Sequence, residues 1–314
     1  MYSKKEKARE VIMQELIKRG YSLEKGKKVW NVSDSRLWYL TEDQAKEFIK
    51  LEKIDEKQRM FVNEEIKLLR KYSKNISNTL AEKNINVVDL GCGDGKKAFS
   101  LIKIISKKHK IRYFPIDINA FMLLEAYKSL SKIKGVTVVR DDNNLIDFLD
   151  ISKIERFIRN KEFRKNLLLL LGGNLENSDI HEILHEIRRG MKDEDVLLIG
   201  NKLSHPSRKK MVEYYANNKL IASLLVKPLE ILGINKKDTF YFARFKQDRV
   251  EMLFEIKKDY EIGKIKFSNG DSVIIAVSYK YTEQKLYEVL TTYFSEVELF
   301  VSDKKNFALA LCKK

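Results

Sequence analysis

The hydrophobic positions change rhythm twice along the chain. From residue 85 onward, short apolar runs recur at 85–90, 111–116, 136–139, 167–171 and 196–199, with amphipathic stretches between them. Continuous apolar strands alternating with helices predict a parallel sheet buried on both faces. Ahead of this region, residues 3 to about 75 read as helices. Val11, Ile12, Leu16 and Ile17 fall on one helical face, and Gly20 is placed to end that helix. Thr41 followed by Gln44 reads as a capping box that opens the next helix. After Gly200 the alternation breaks. Residues 204 to about 232 read as helical with Pro228 interrupting, and 239–245, 249–257, 263–267 and 272–281 read as antiparallel strands. Ser268-Asn269-Gly270 predicts a hairpin turn between the last two, because Asn-Gly accepts positive φ. A helix near 283–294 precedes two strands joined around Asp303-Lys304-Lys305, which complete the parallel sheet with a final antiparallel strand.

The organisation expected is an α/β domain with a seven-stranded, mostly parallel, Rossmann-like sheet, interrupted by an inserted α+β unit. Residues 76–200 and 283–314 form the nucleotide-type domain, 201–282 the insertion, and 1–75 a helical part that joins the insertion as a substrate domain. Composition adds limits to this picture. With 314 residues and 44% hydrophobic content, the chain can build a sizeable core. No apolar run reaches the ~18 residues a membrane helix needs. The start, "MYSKKEKAREVIMQELIKRG", lacks the apolar stretch of a signal peptide, so a cytoplasmic protein without membrane partners is expected. Two cysteines, Cys92 and Cys312, give neither a disulfide framework nor a zinc-ribbon spacing. The net charge of +16 comes from lysine doublets scattered along the chain. Clustered charge marks a nucleic-acid face, so a nucleic-acid partner is an alternative and not the favoured one.

The segment "NVVDLGCGDGKK" carries the clearest chemistry. A strand ends in Asp89 and Leu90, glycines follow at Gly91, Gly93 and Gly95, and a helix starts near Lys97. Bare backbone there allows a sharp turn and lets a ligand touch the main chain. The dinucleotide fingerprint requires glycine five positions after the first, and that position is Lys96. The spacing, with an acid two residues before the first glycine, resembles the first motif of class I S-adenosylmethionine (SAM) methyltransferases. Asp117 follows the second strand, where a carboxylate can accept ribose hydroxyls, and Asp141 and Asp142 follow the third, where an acid can accept from an adenine amine. Each alone could be a helix N-cap; at the tips of successive strands they favour a bound nucleoside.

From about residue 80 to the end, the chain resembles the histidine-specific SAM-dependent methyltransferases. "VVDLGCGDGKK" matches the donor loop and "YFPIDIN" the strand with the ribose acid; "LLLLLGGNLEN", "LLIGNKL", "MVEYYANN", "VEML" and "AVSYKY" follow in order. The resemblance implies SAM as cofactor, held by Asp89, Gly91, Cys92, Gly93, Gly95, Lys97, Asp117, Asp141, Asp142 and Gly172. It implies acceptor contacts at Gly172, Asn177, Tyr215, Met252 and Ser278, with Asn177 and Tyr215 holding the reacting amine and its carboxylate. The family places a glutamate two residues before the serine, facing the imidazole; here Ala276 stands there. An alanine methyl cannot accept an imidazole N–H, so the reaction type carries over further than histidine does. The reading is SAM-dependent N-methylation of a small amine or amino-acid-like acceptor by a monomer, with no metal.

Three rivals compete. "HEILH", with His181, Glu182 and His185, is the zinc metallopeptidase pattern, but it lies on the helix predicted between the fourth and fifth parallel strands. An RNA or protein methyltransferase would share the donor domain and use the basic surface; the Asn/Asp-Pro-Pro-aromatic motif of amino-methylating DNA enzymes is absent. A scaffold keeping a vestigial donor site is the non-enzymatic reading. Alternating aromatics in "TFYFARF" have a base-stacking reading and, more simply, that of a half-buried strand.

Overall fold

The computed structural model describes residues 4–150, 153 and 158–314. Parts of two sequence readings, at residues 1–3 and at 151, 152 and 154–157, lie outside the described residues. Fourteen strands run through the described chain. In order they are β1 (Tyr21–Glu24), β2 (Lys27–Asn31), β3 (Asn84–Leu90), β4 (Lys110–Ile116), β5 (Val136–Val138), β6 (Lys165–Leu170) and β7 (Val196–Lys202). There follow β8 (Thr239–Lys246), β9 (Arg249–Ile256), β10 (Tyr260–Ile262), β11 (Ile265–Phe267), β12 (Ser272–Tyr279), β13 (Glu296–Val301) and β14 (Phe307–Lys313). The chain divides into two compact units: Met1–Leu51 with His205–Lys280, and Glu52–Ser204 with Tyr281–Lys314.

The second unit is built on a seven-stranded sheet in the order β13-β14-β7-β6-β3-β4-β5. The five strands from β7 to β5 are parallel, and β14 enters antiparallel beside β7, as the final apolar run predicts. The residues of β3 and β6 are almost wholly buried, which explains their unbroken apolar spelling. The helices Glu56–Lys71 and Ser73–Leu80 belong here too. Leu68, Leu69, Ile76 and Leu80 share one core with β3, β6 and β14. The N-terminal boundary expected near residue 75 therefore moves to 51. A buried imidazole ties this edge together: His109 Nδ1 donates to the Glu82 carbonyl (2.6 Å), so Nε2 accepts from the Ser77 hydroxyl (2.7 Å). The chain leaves this unit after β7 and returns at Tyr281. The two crossings lie side by side, with the Ser204 amide donating to the Tyr281 carbonyl (2.8 Å) and Leu203 bridging to Tyr281.

The first unit holds a five-stranded sheet, β1-β2-β12-β9-β8. Its β1–β2 hairpin falls in a segment whose pattern reads as helical. Lys25 and Gly26 both take positive φ (50° and 77°), the turn that a two-residue hairpin requires. Helix Lys4–Arg19 ends at Gly20 (φ 65°), as expected. Ile12 and Leu16 are buried, but Val11 and Ile17 are exposed at the margins of the stripe. Reciprocal capping at Thr41 and Gln44 is present: Thr41 N–H donates to Gln44 Oε1 (2.9 Å) and Gln44 N–H to Thr41 Oγ1 (3.3 Å). Pro228 sits in the first turn of helix Lys227–Leu232, where its missing N–H costs nothing. The predicted hairpin at 268–270 is corrected. Gly270 does take φ 89°, but β11 pairs with β10 and β12 pairs with β9 and β2. The turn thus carries the chain between sheets, held by Asp271, which accepts from Ser268 N–H (2.8 Å) and Lys28 N–H (3.0 Å).

The pairing of β12 with β9 slips between Ile274 and Ala276, leaving Ile275 out of register. Its carbonyl is taken by the indole N–H of the buried Trp38 (3.1 Å). Replacing Trp38 with Phe strands that buried carbonyl, so a loss of about 1–3 kcal/mol is expected. Calorimetric melting of Trp38→Phe against wild type, with a drop of several degrees, checks this.

Candidate active site at the strand ends

β3 ends at Leu90, and the chain turns through three left-handed glycines: Gly91 (φ 69°), Gly93 (φ 54°) and Gly95 (φ 74°). The Gly91 and Cys92 amides both donate to the Ile116 carbonyl at the end of β4 (2.9 and 3.0 Å). Gly95 starts helix Lys96–Ile105 and has no room for a side chain, since a Cβ there falls 2.8 Å from Leu130 Cδ2. The Cys92 side chain turns into a cluster with Leu123 and Ala126, so its place in the loop presents backbone.

Asp117, just past β4, is buried. Its Oδ2 accepts from Gly93 N–H (3.1 Å) and its Oδ1 from Asn119 N–H (2.9 Å). Burial pushes its carboxyl up to about 6, against the amides of Asn119, Gly93 and Ile118, which favour the charged form. Asp89 is buried under the loop, accepting from the Tyr113 hydroxyl (2.6 Å), and burial raises its carboxyl to about 7. Asp141 and Asp142 follow β5 in an exposed turn, where Asp141 accepts from Asn143 N–H (2.8 Å). The structure thus joins the loop directly to Asp117, keeps Asp89 at the end of β3 with Tyr113 as its partner, and sets Asp141 and Asp142 one strand further out.

Of the polar side chains that fill the bare strand ends, sequence reading named Lys97 and missed Asn174 and Glu65. A Cβ on Gly91 would meet Asn174 Nδ2 at 2.7 Å, one on Gly172 would meet Lys97 Nζ at 2.9 Å, and one on Gly200 would lie 1.9 Å from Glu65 Oε1. Asn174 Nδ2 donates to the carbonyls of Leu90 (3.3 Å) and Leu171 (3.1 Å), stitching β3 to β6. Glu65 is 1% exposed and accepts from Gly172 N–H (2.9 Å). Lys97 Nζ pairs with Glu52 Oε1 (3.1 Å). Burial alone would lower the Lys97 ammonium pKa; the Glu52 and Glu65 carboxylates outweigh it and hold the value above the ordinary lysine range. Burial raises the Glu65 carboxyl, with Lys97 and the Gly172 amide opposing. Beside them the buried Glu176 pairs with Lys202 (3.0 Å). The one available signal was glycine at 172 and 200, marking close approach without naming what approaches.

Asn177 closes the short turn Asn174–Asn177 and is half-buried. It does not cap the following helix, Ile180–Gly190; Asp179 does, accepting from His181 and Glu182 N–H. In the first unit, the Tyr215 hydroxyl lies 3.0 Å from Ser278 Oγ, and Lys280 Nζ donates to the Tyr215 hydroxyl (3.1 Å) and also bonds Ser278 Oγ. Met252 pairs across the strands with Ala276, and both are buried in that unit's core. In "HEILH", His181 and His185 are exposed, and His181 Nδ1 bonds the Tyr293 hydroxyl (2.8 Å). Among the described residues no group of three His, Cys, Asp or Glu side chains could hold a metal. Among them also no helix is long and apolar enough to cross a membrane. In β8, Tyr241 and Phe245 pack on the core while Phe240 and Phe242 stack with each other on the opposite face.

A seven-stranded sheet of this order, with a glycine loop after β3 and an acid at the tip of the adjacent β4, defines a class I SAM-dependent methyltransferase. Within that class, the chain belongs to the histidine-specific, SAM-dependent methyltransferase family, whose sequence model matches residues 60–314. It is an enzyme, and its cofactor is SAM. No curated protein matches it significantly in sequence. Similar solved structures include a SAM-dependent methyltransferase from Clostridium acetobutylicum, at 15% identity over 79% of this chain and 91% of that one, TM-score 0.39. The 1,6-didemethyltoxoflavin-N1-methyltransferase of Burkholderia thailandensis is 12% identical over 86% of each chain, TM-score 0.41. A sugar N-methyltransferase from a Streptoalloteichus species is 12% identical over 85% of this chain and 92% of that one, TM-score 0.40.

The raised carboxyls give the ligand-free protein a pH signature. Asp117 and Asp89 bind protons more tightly folded than unfolded, from the ordinary carboxylate range up to about 6 and about 7. Folding therefore takes up protons in that window, and stability falls as pH rises through it. The melting temperature of the ligand-free chain is expected to fall between about pH 5 and about pH 7.5. Asp89→Asn should flatten the upper part of that slope; an unchanged slope in this variant contradicts the assignment.

Proposed function

We propose that the protein N-methylates a small amine or amino-acid-like acceptor. The observation that supports the donor half most directly is the sequence of strand ends. Across β6, β3, β4 and β5 stand Lys97 over Gly172, the glycine loop, Asp117, and Asp141 with Asp142. Strands lie about 4.8 Å apart, so this row spans about 14 Å, suited to an extended ligand with an amino-acid end, a sugar and a base. The chain's residues fit SAM: bare backbone for close approach, and at Asp117 a carboxylate whose lone pairs beyond those taken by the Gly93 and Asn119 amides can accept from ribose hydroxyls. Bound there, SAM would supply an electrophilic sulfonium methyl to the lone pair of a neutral acceptor nitrogen, with the sulfur as leaving group.

For the acceptor, Asn177 offers an amide at the end of the β6 turn. The Tyr215–Ser278–Lys280 group offers two hydroxyls and an ammonium, suited to a carboxylate. Ala276 puts a methyl where the family's glutamate would face an imidazole, and it lies with Met252 in the apolar core of its unit, which favours an apolar or aromatic side chain over histidine. Positioning supplies most of the rate in such a transfer. The nitrogen must be neutral, so kcat/KM should rise with pH until the acceptor amine's own pKa is passed.

The test combines a panel of amino acids and amines, read by S-adenosylhomocysteine release, with donor-site variants. Asp117→Ala is expected to weaken S-adenosylhomocysteine binding by about 100-fold or more, and Asp117→Asn serves where the alanine variant melts early. Asn177→Ala should leave that affinity within about threefold and cut turnover roughly 10- to 100-fold. Equal donor affinity in wild type and Asp117→Ala would refute the reading.

A further inference from the structure

Asn144, on the short turn after β5, is 0% exposed, so it touches no ligand itself. Val139 N–H still donates to the Tyr113 carbonyl of β4 (2.9 Å). The chain then leaves the sheet and rejoins it at Leu145, which bridges to Asp117. Asp141 and Asp142 ride on this excursion, so their placement depends on what pins its base. Asn144 pins it. Its Nδ2 donates to the Val139 carbonyl (2.8 Å) and closes the excursion on itself. Its main-chain carbonyl accepts from Asp117 N–H (3.1 Å), and its own N–H donates to the Asp141 carbonyl (3.0 Å). Nδ2 also donates to the Tyr127 hydroxyl (3.1 Å), on helix Ala120–Leu130. The Tyr127 ring lies under the Arg140 guanidinium (5.2 Å) and packs on the cluster that holds Cys92 of the glycine loop. One residue thus links the loop, Asp117 and the turn beyond β5. Its Oδ1 has no partner among the described residues. For stability alone, a sealed amide with half its capacity unused is a poorer choice than an apolar side chain. What the position keeps is the donor half, which sets the course of the turn.

We propose that Asn144, seated on Tyr127, is a positioning residue that holds the Asp141–Asp142 turn at a fixed place beside Asp117 and so determines the preference for an adenine base in the donor. The acids meet the base, and Asn144 acts through them. A 6-amino group donates to a carboxylate, whereas a 6-oxo group sets an acceptor against it. Discrimination between the two therefore reports where the turn sits, not merely whether the chain is folded. The inference rests on the donor-site reading above.

The experiment is calorimetry on the full chain with S-adenosylhomocysteine and S-inosylhomocysteine, in which a carbonyl replaces the 6-amino group. Wild type should bind the adenosine compound about tenfold or more tightly than the inosine compound. Asn144→Ala should weaken S-adenosylhomocysteine about tenfold and leave S-inosylhomocysteine within about threefold, so that the preference collapses. Tyr127→Phe keeps the ring under Arg140 and removes only the hydroxyl; it should narrow the preference about threefold or more. A purely structural Asn144 would weaken both ligands equally, and an unchanged preference in the variants overturns the proposal. If Asn144→Ala melts too early to titrate, Tyr127→Phe decides by the same criterion. Equal affinity of wild type for the two ligands overturns the positioning role and the base-side place of Asp141 and Asp142, while Asp117 stands. If wild type binds neither ligand, the donor site itself is refuted, and this inference with it.

Discussion

One hydrogen bond fixes the working edge of the sheet: the Asp117 carboxylate accepting the Gly93 amide. It ties the tip of β4 to the loop leaving β3, while the amides of Gly91 and Cys92 close onto the Ile116 carbonyl. A three-glycine loop would otherwise be the most mobile part of the unit, since glycine gives up the most freedom on ordering. Anchoring it through a carboxylate does two things with one group. The loop gains a fixed course, and the acid is held at the strand tip with acceptor capacity still facing outward.

The same economy governs the neighbouring strand ends. Gly91, Gly172 and Gly200 lack side chains because Asn174, Lys97 and Glu65 occupy those places. Polar atoms from a turn and two helices thereby reach the carboxyl ends of parallel strands, where ligands bind in open α/β sheets. The arrangement is costly in desolvation and leaves carboxyls raised above their ordinary range. Raised carboxyls gathered at one edge mark a functional site more often than a structural one.

Much of this edge was legible in the amino-acid sequence. The glycine spacing, Asp89 and Asp117 are local signals, each set by a few adjacent residues, and the mostly parallel sheet with its antiparallel final strand followed from apolar runs of strand length. Glu52 and Glu65 were not legible. Each sits on a helix where a glutamate looks like any solvated one, and only the tertiary approach to Lys97 and Gly172 distinguishes it. The β1–β2 hairpin hid for a related reason, because lysines flank its turn and mimic a helix end. The turn at Gly270 was read correctly as a turn, but pairing partners depend on the rest of the unit, and β12 found β2 and β9 instead of β11. Val11 and Ile17 show that a stripe read off periodicity is wider than the strip that packing covers.

The neighbouring crossings at Ser204 and Tyr281 bear on how such a protein can diversify. Where a chain departs and comes back through adjacent, hydrogen-bonded points, the excursion between them behaves as a loop, whatever its size. The host sheet registers the distance between the two ends, together with the single further crossing at Leu51–Glu52. An insertion can therefore be lengthened, trimmed or chemically recast while the strands of the host sheet stay in register.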